Sequence, residues 1–149
     1  MNVTLRPATE EDVETYARIA KRVESPINLA TTDPNEVREE FDQINVFMIV
    51  CDGISVGYIS YEHREARYAY ISELAVDPDY QGRGIGGQAL SMLLDSLRSQ
   101  GLNVFSLMTH PENPARRLYE RHGFTVVRQI EDFWGSKTPR LEMFCEDPD

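Results

Sequence analysis

Residues 71–87 read Ile71-Ser72-Glu73-Leu74-Ala75-Val76-Asp77-Pro78-Asp79-Tyr80-Gln81-Gly82-Arg83-Gly84-Ile85-Gly86-Gly87. A short apolar run, Leu74-Ala75-Val76, stops at Asp77-Pro78, and four glycines then fall within residues 82–87. A helical pattern starts at once. This order of strand, glycine-rich turn and helix aims backbone N–H groups at an anion. Glycine has no Cβ to hold a ligand off the main chain. The first turn of the helix adds unpaired donors and the positive end of its dipole. A phosphate-bearing ligand is expected there.

Downstream, Ile85, Ala89, Leu90, Leu93, Leu94 and Leu97 form one helical stripe that Gly101 ends. Residues 103–108 read as a strand. Asn113-Pro114 opens a short helix that stops at Gly123, with a cap and a proline suited to the first turn. Residues 124–130 and 140–145 read as a closing strand pair. Upstream, 45–51 and 54–61 form a hairpin about Asp52-Gly53, the charged residues 62–67 a turn, and 68–76 a strand. Residues 3–5 read as a strand. A helix capped by Thr9 carries Val13, Tyr16, Ala17 and Ala20 at helical spacing, 25–32 form a loop, and Asp33-Pro34 opens a helix carrying Val37 and Phe41. The order β-α-α-β-β-β-α-β-α-β-β predicts an α+β fold with a mixed sheet. Without repeats or a linker, 1–149 is expected to be one domain.

Composition excludes several classes. At 41% hydrophobic and 27% charged residues, the chain has ordinary globular proportions. Cys51 and Cys145 lie far apart with no metal-ligand spacing around them, which predicts a reduced, cytoplasmic chain with no metal site. No apolar run approaches a membrane span, and Met1-Asn2-Val3-Thr4-Leu5-Arg6-Pro7 has no signal-peptide core. The net charge is −10. Residues 1–80 hold seven Lys/Arg against sixteen Asp/Glu, residues 81–140 eight against five, and the last nine none against four. An acidic chain is a poor nucleic-acid binder. The arginine excess follows the glycine turn, although solvated surface charge is the plainer reading of any one arginine.

Gly82-Arg83-Gly84-Ile85-Gly86-Gly87 contains G-x-G-x-x-G, but the dinucleotide fingerprint needs its first glycine directly after the strand, and Asp77 to Gln81 intervene. No acid for a ribose occurs in 100–107. A P-loop needs Lys-Ser/Thr after its last glycine, where Gln88-Ala89 stand.

Gln81-Gly82-Arg83-Gly84-Ile85-Gly86 instead resembles the Q/R-x-x-G-x-G/A pyrophosphate loop of the GNAT (general control non-repressible-related N-acetyltransferase) superfamily. Leu74-Ala75-Val76-Asp77-Pro78 is similar to the strand that precedes it. Asn113-Pro114-Ala115-Arg116-Arg117-Leu118-Tyr119-Glu120-Arg121-His122-Gly123-Phe124 resembles the family's N-x-x-A-x-x-L-Y-E-x-x-G-F segment. The order of elements fits over nearly the whole chain, least well at 21–42. The resemblance implies a mostly antiparallel sheet of six to seven strands with about four helices, and a V-shaped opening between the strands at 68–76 and 103–108. It implies acetyl-CoA as co-substrate and a primary amine as acceptor. It assigns the pantetheine arm to Leu74, Ala75 and Val76, the pyrophosphate to Gln81, Gly82, Arg83, Gly84, Ile85, Gly86 and Gly87, and CoA contacts to Asn113. Arg116 or Arg117 is a candidate for a CoA phosphate. Tyr119 would stand near the sulfur, and the N–H of Val76 or a neighbour would meet the thioester carbonyl.

Amine attack on a thioester needs a neutral amine, a donor for the carbonyl oxygen and a proton or hydrogen bond for the leaving thiolate. Deprotonating a lysine-like ammonium at pH 7 costs about 4–5 kcal/mol, and a peptide α-ammonium about 1. Tyr119 is the candidate acid, since a phenol near pKa 10 donates to a thiol near 8.5 at a cost of about 2 kcal/mol. Its bland alternative is a tyrosine packed on the adjacent strand. The base is less defined. Relatives that carry a glutamate or histidine base on this strand place it at the Tyr70 or Ser72 positions, and this chain has neither type there. Strict alternation sets Glu73 with Ile71 and Ala75, on the face opposite Tyr70 and Ser72. Met108 occupies a place where some relatives carry glutamate, and His110 and Glu112 are expected at the rim. A water-mediated path to Glu73 or His110 is the expected route. The acidic stretches 33–42 and 62–65 are candidates for an acceptor wall or simply wet surface. Phe133 and Trp134 are candidates for an acceptor cover or a homodimer contact. The expected function is direct acetyl transfer in a ternary complex, to a protein N-terminus, a lysine or a small-molecule amine. The alternative is a non-catalytic acyl-CoA sensor or interaction module.

Overall fold

The computed structural model describes residues 1–133 and 138–147. In chain order these form β1 (Val3–Pro7), α1 (Val13–Val23), α2 (Pro34–Gln43), β2 (Asn45–Cys51), β3 (Ile54–Glu65), β4 (Tyr68–Val76), α3 (Ile85–Ser99), β5 (Val104–Thr109), α4 (Ala115–Arg121), β6 (Thr125–Phe133) and β7 (Thr138–Glu146). Short 3₁₀ turns at Glu10–Asp12 and Pro78–Tyr80 lead into α1 and toward α3.

The strands form one seven-stranded sheet in the order β1-β2-β3-β4-β5-β7-β6. Every pairing is antiparallel except β4–β5. The α+β class with a mixed, mostly antiparallel sheet is therefore as expected, and four α-helices occur among the described residues. β3 runs past its expected end, because Glu62, His63 and Glu65 pair with Tyr70, Ala69 and Tyr68. The charged run continues as a solvent-facing hairpin arm, leaving only Ala66-Arg67 as the turn.

Each face of the sheet carries its own core. On one face, the predicted stripe of α3 is fully buried against Ile49, Ile59, Ala69, Ile71 and Phe105. Each of its leucines contributes about 1.5–3 kcal/mol by leaving water. On the other face, Tyr16 and Ile19 of α1 and Val37 of α2 cover Met48, Tyr58 and Ala75. The α4 helix packs close to the first turn of α3, where a Cβ on Gly87 would come within 3.2 Å of Leu118.

β4 and β5 pair at only three positions, Tyr68–Val104, Ala69–Phe105 and Tyr70–Ser106. The Tyr68 and Ser106 hydroxyls, 2.5 Å apart, tie the closed end. Beyond Tyr70 the strands part, and β5 continues with β7 while β4 continues with β3. The expected V-shaped opening lies there.

Candidate active site

The opening is the mouth of a cleft of about 910 Å³. Its β4 wall follows from pairing. Asp77 donates its N–H to Val56 O of β3, so by antiparallel alternation Ala75 also faces β3, and Leu74 and Val76 turn their main-chain groups to the gap. The Val76 carbonyl accepts from Gln81 Nε2 at 2.8 Å. Leu74, Ala75, Val76 and Gln81 all line the cleft.

At its far end, Gly82 and Gly84 take left-handed φ values of 78° and 80°, a conformation that side-chain-bearing residues avoid. Gly84 is the N-cap of α3. Gly82, Gly84, Ile85, Gly86 and Gly87 line the cleft. Asp77 braces the turn: almost fully buried, it accepts from the Asp79 N–H and is ion-paired to Arg18 and Arg22 of α1. Burial opposes its ionisation, but the Asp79 N–H and the two arginines outweigh that and hold its carboxyl below the usual carboxylate range.

Two expected contacts fall elsewhere. The Arg83 guanidinium reaches back to Asp79 O at 3.3 Å and lies over Tyr80. Arg116 Nε points along α4 to Glu120, 3.4 Å away. Neither residue lines the cleft, whereas Arg121, one helical turn from Arg117, does. Asn113 lines it while its Oδ1 accepts the Ala115 N–H at 2.9 Å, capping α4.

Glu73 and Tyr119 both line the cleft. The strict alternation expected for β4 is broken: Ser60 pairs with Glu73 but Tyr61 with Ile71, so Ser72 is an extra, bulged residue. Before the bulge, Ala69 and Ile71 face α3; after it, Leu74 and Val76 do, while Ala75 faces α1. Glu73 is thereby turned out of the Ile71 face and into the cleft, which Tyr70 and Ser72 also line. Burial, with the charge of Glu40 behind it, pushes the Glu73 carboxyl up to about 8. Tyr119 is 9% exposed, edge-on to Phe124, and its phenol is raised by burial and then by Glu73 and Tyr70. Burial and the Glu73 charge push Tyr70 up to about 12, against the pull of Arg64, whose guanidinium lies 4.2 Å from the ring centre.

His110, just past the end of β5, is buried in the lining, and its Nδ1 accepts the Glu112 N–H at 3.0 Å. A neutral ring therefore carries its proton on Nε2. The neighbouring Thr109 hydroxyl is buried without a hydrogen-bond partner. On the acceptor side stand Glu62, to which Ser72 donates at 3.4 Å, Arg64, Arg140 and the loop around Asn28. Of the acidic stretch 33–42, no residue lines the cleft. Arg140, 4% exposed, was not foreseen, since nothing in the strand pattern distinguishes a buried arginine at a strand start from a wet one. Its guanidinium donates to Pro139 O at 2.8 Å, and burial lowers its proton affinity against the pull of Tyr70. The expectation for Phe133 and Trp134 side chains lies outside the described residues. No helix among them is long and apolar enough to cross a membrane.

Comparison with known proteins gives a consistent picture. The family model described as "Acetyltransferase (GNAT) family" matches residues 12–124. The chain is 37% identical over 81 residues to the [ribosomal protein bS18]-alanine N-acetyltransferase of Haemophilus influenzae, covering 52% of this chain and 56% of that one. It is 44% identical over 64 residues to the mycothiol acetyltransferase of Beutenbergia cavernae, covering 42% of this chain and 22% of that one. The chain thus spans well under two thirds of either relative. The structure of yncA from Salmonella typhimurium with its cofactor acetyl-CoA superposes with a TM-score of 0.78 at 23% identity, over 100% of this chain and 99% of that one.

Proposed function

The chain belongs to the GNAT acetyltransferase family, and from that premise we propose that it is an acetyl-CoA-dependent N-acetyltransferase acting on a primary amine by direct attack in a ternary complex. The observation that carries this reading is the parting of β4 and β5 beside a glycine cradle, with Glu73 and Tyr119 on the walls between. Three features suit a CoA-type ligand. Leu74 and the Val76 N–H offer a strand edge that β5 does not pair to the amides of a pantetheine arm, with the Val76 carbonyl already taken by Gln81. The turn at 81–87 and the first turn of α3 offer backbone N–H groups to a pyrophosphate. Thr109 holds a buried hydroxyl in want of a partner.

The neutral amine nitrogen attacks the thioester carbon, and an N–C bond forms. The amine proton passes to Glu73, directly or through a water. As the C–S bond breaks, its electron pair goes to sulfur; the thiolate takes one proton from solvent, Glu73 later returns the amine's proton to solvent, and an N-acetyl product and CoA thiol are left. A Glu73 carboxyl near 8 is a competent base close to neutral pH. The raised phenol of Tyr119 gives up its proton less readily than an ordinary tyrosine, so its first contribution is a hydrogen bond to the developing thiolate. The acceptor side carries both signs, Glu62 and Glu73 against Arg64 and Arg140. That mixture suits an amine with a carboxylate nearby better than a polycation. The bulge at Ser72 brings a carboxylate, Glu73, to the face that Tyr70 shares, which favours the enzyme over a non-catalytic CoA sensor.

The test is free-thiol release from acetyl-CoA across amino acids, peptides with free N-termini, polyamines and aminoglycosides, with a no-acceptor blank. Release above the blank is expected with at least one acceptor class, amino acids first. Blank-level release throughout, with CoA bound tightly in calorimetry, would instead favour the sensor.

A further inference from the structure

Behind the cleft wall, polar side chains from three elements converge inside an otherwise apolar core. Tyr16 of α1, fully buried, donates its hydroxyl to Glu40 Oε2 of α2 at 2.7 Å. Its ring stacks on Tyr58 of β3, with centroids 3.7 Å apart and planes at 22°. Tyr58 pairs with Ala75 and Ser60 with Glu73, which makes Tyr58 and Glu73 diagonal neighbours on adjacent strands. Glu40 Oε1 also stands 3.5 Å from the hydroxyl of Thr31, in the segment that carries the acceptor-side loop. Glu40 itself does not line the cleft.

An aromatic core needs no carboxylate, and a half-buried one is costly to ionise. Burial raises Glu40, while the hydroxyls of Tyr16 and Thr31 pull it back down. Tyr70 on the same strand, Tyr58 on β3, Tyr16 on α1 and Tyr119 on α4 feel the charge of Glu73, Glu40 on α2 acts on it, and Glu62, Arg64 and Arg140 line the same cleft. Of these, Glu40 is the group whose charge adds to burial in raising Glu73.

We propose that Glu40 is a positioning residue for Glu73: held by the Tyr16 hydroxyl behind the Tyr16–Tyr58 stack, it keeps a negative charge behind the cleft carboxylate and, beside burial, helps govern when that carboxylate takes up a proton. A like charge disfavours ionisation of its neighbour. The proposal deepens the transferase reading only in its kinetic consequence, since the protonation of Glu73 is measurable without turnover.

Glu40→Gln keeps an oxygen for the Tyr16 hydroxyl and removes the charge. The titration midpoint of Glu73, followed by carbon-13 NMR of its carboxyl in the folded protein, is expected to fall by about half a pH unit. Below that midpoint kcat/KM should rise about threefold, and at high pH it should not change. A merely structural role would lower the rate at every pH and leave the midpoint where it was. An unchanged Glu73 midpoint in folded Glu40→Gln overturns the proposal. A midpoint that falls while the rate profile stays put sustains the proposal and instead removes Glu73 as the base. Should the variant not fold, Glu40→Met is read in the same way: a Glu73 midpoint below that of the unmodified protein is expected, and an unchanged one overturns the coupling.

Discussion

Tyr119 owes its place to two neighbours, Leu118 against the first turn of α3 and Phe124 edge-on to its ring. Its ring is core and its hydroxyl is at the cleft, so removing the oxygen separates chemistry from packing. Tyr119→Phe is expected to lower kcat about 10²-fold while CoA affinity, measured by calorimetry, stays within about twofold. Equal losses of kcat and affinity would make Tyr119 a packing residue. Its position was legible because the A-x-x-L-Y-E-x-x-G-F run fixes both the helix and the closing glycine. Glu73 was half legible. Its identity as the nearest carboxylate could be read, but its direction could not, because a one-residue bulge reverses every side chain after it and leaves no mark in composition. The burial of Arg140 and of His110 could not be read for a related reason: burial of a charged or polar side chain depends on what the rest of the chain lays over it.

Among the elements, the glycine turn is the part that local rules describe best. Gly84 adopts φ 80° with nothing within 4 Å of a would-be Cβ, while Gly86 lies inside α3 with only ordinary contacts at 3.7–3.8 Å. The two should respond with opposite signs. Gly84→Ala is expected to lose about 1–2 kcal/mol from backbone strain alone. Gly86→Ala is expected to gain up to about 1 kcal/mol from helix propensity. Denaturant unfolding of the ligand-free variants measures both: a loss at Gly86 would mean that crowding against α4 outweighs helix propensity there, and no loss at Gly84 would mean that its left-handed backbone is not strained by a side chain. The α3 stripe, the hairpin turn at Asp52-Gly53 and the proline at the start of α2 were likewise readable, since each is set by neighbours in sequence. The length of β3 was not. Charged residues 62–65 look like a turn until a partner strand supplies hydrogen bonds that no local rule anticipates.

For the molecule as a whole, α1, β4 and the glycine turn are joined at Asp77. Its carboxyl is held below the usual range, so the stability it adds is present above about pH 4 and is lost as the pH falls through its lower folded value. Asp77→Asn is expected to cost about 1–3 kcal/mol at pH 7, with the gap to the unmodified protein closing under acid. A gap that is constant with pH in thermal or urea unfolding would show the clamp to be held by shape rather than charge. The mixed sheet could be read from the order of elements, whereas the parting of its central strands could be expected only from the family resemblance. That parting has a further meaning. A sheet that stops pairing at its middle is two half-sheets hinged at Tyr70 and Ser106, with the ledger of main-chain partners left open between them. Whatever molecule lies along that open edge would serve, while it stays, as a borrowed strand, and would make one continuous surface of the two halves.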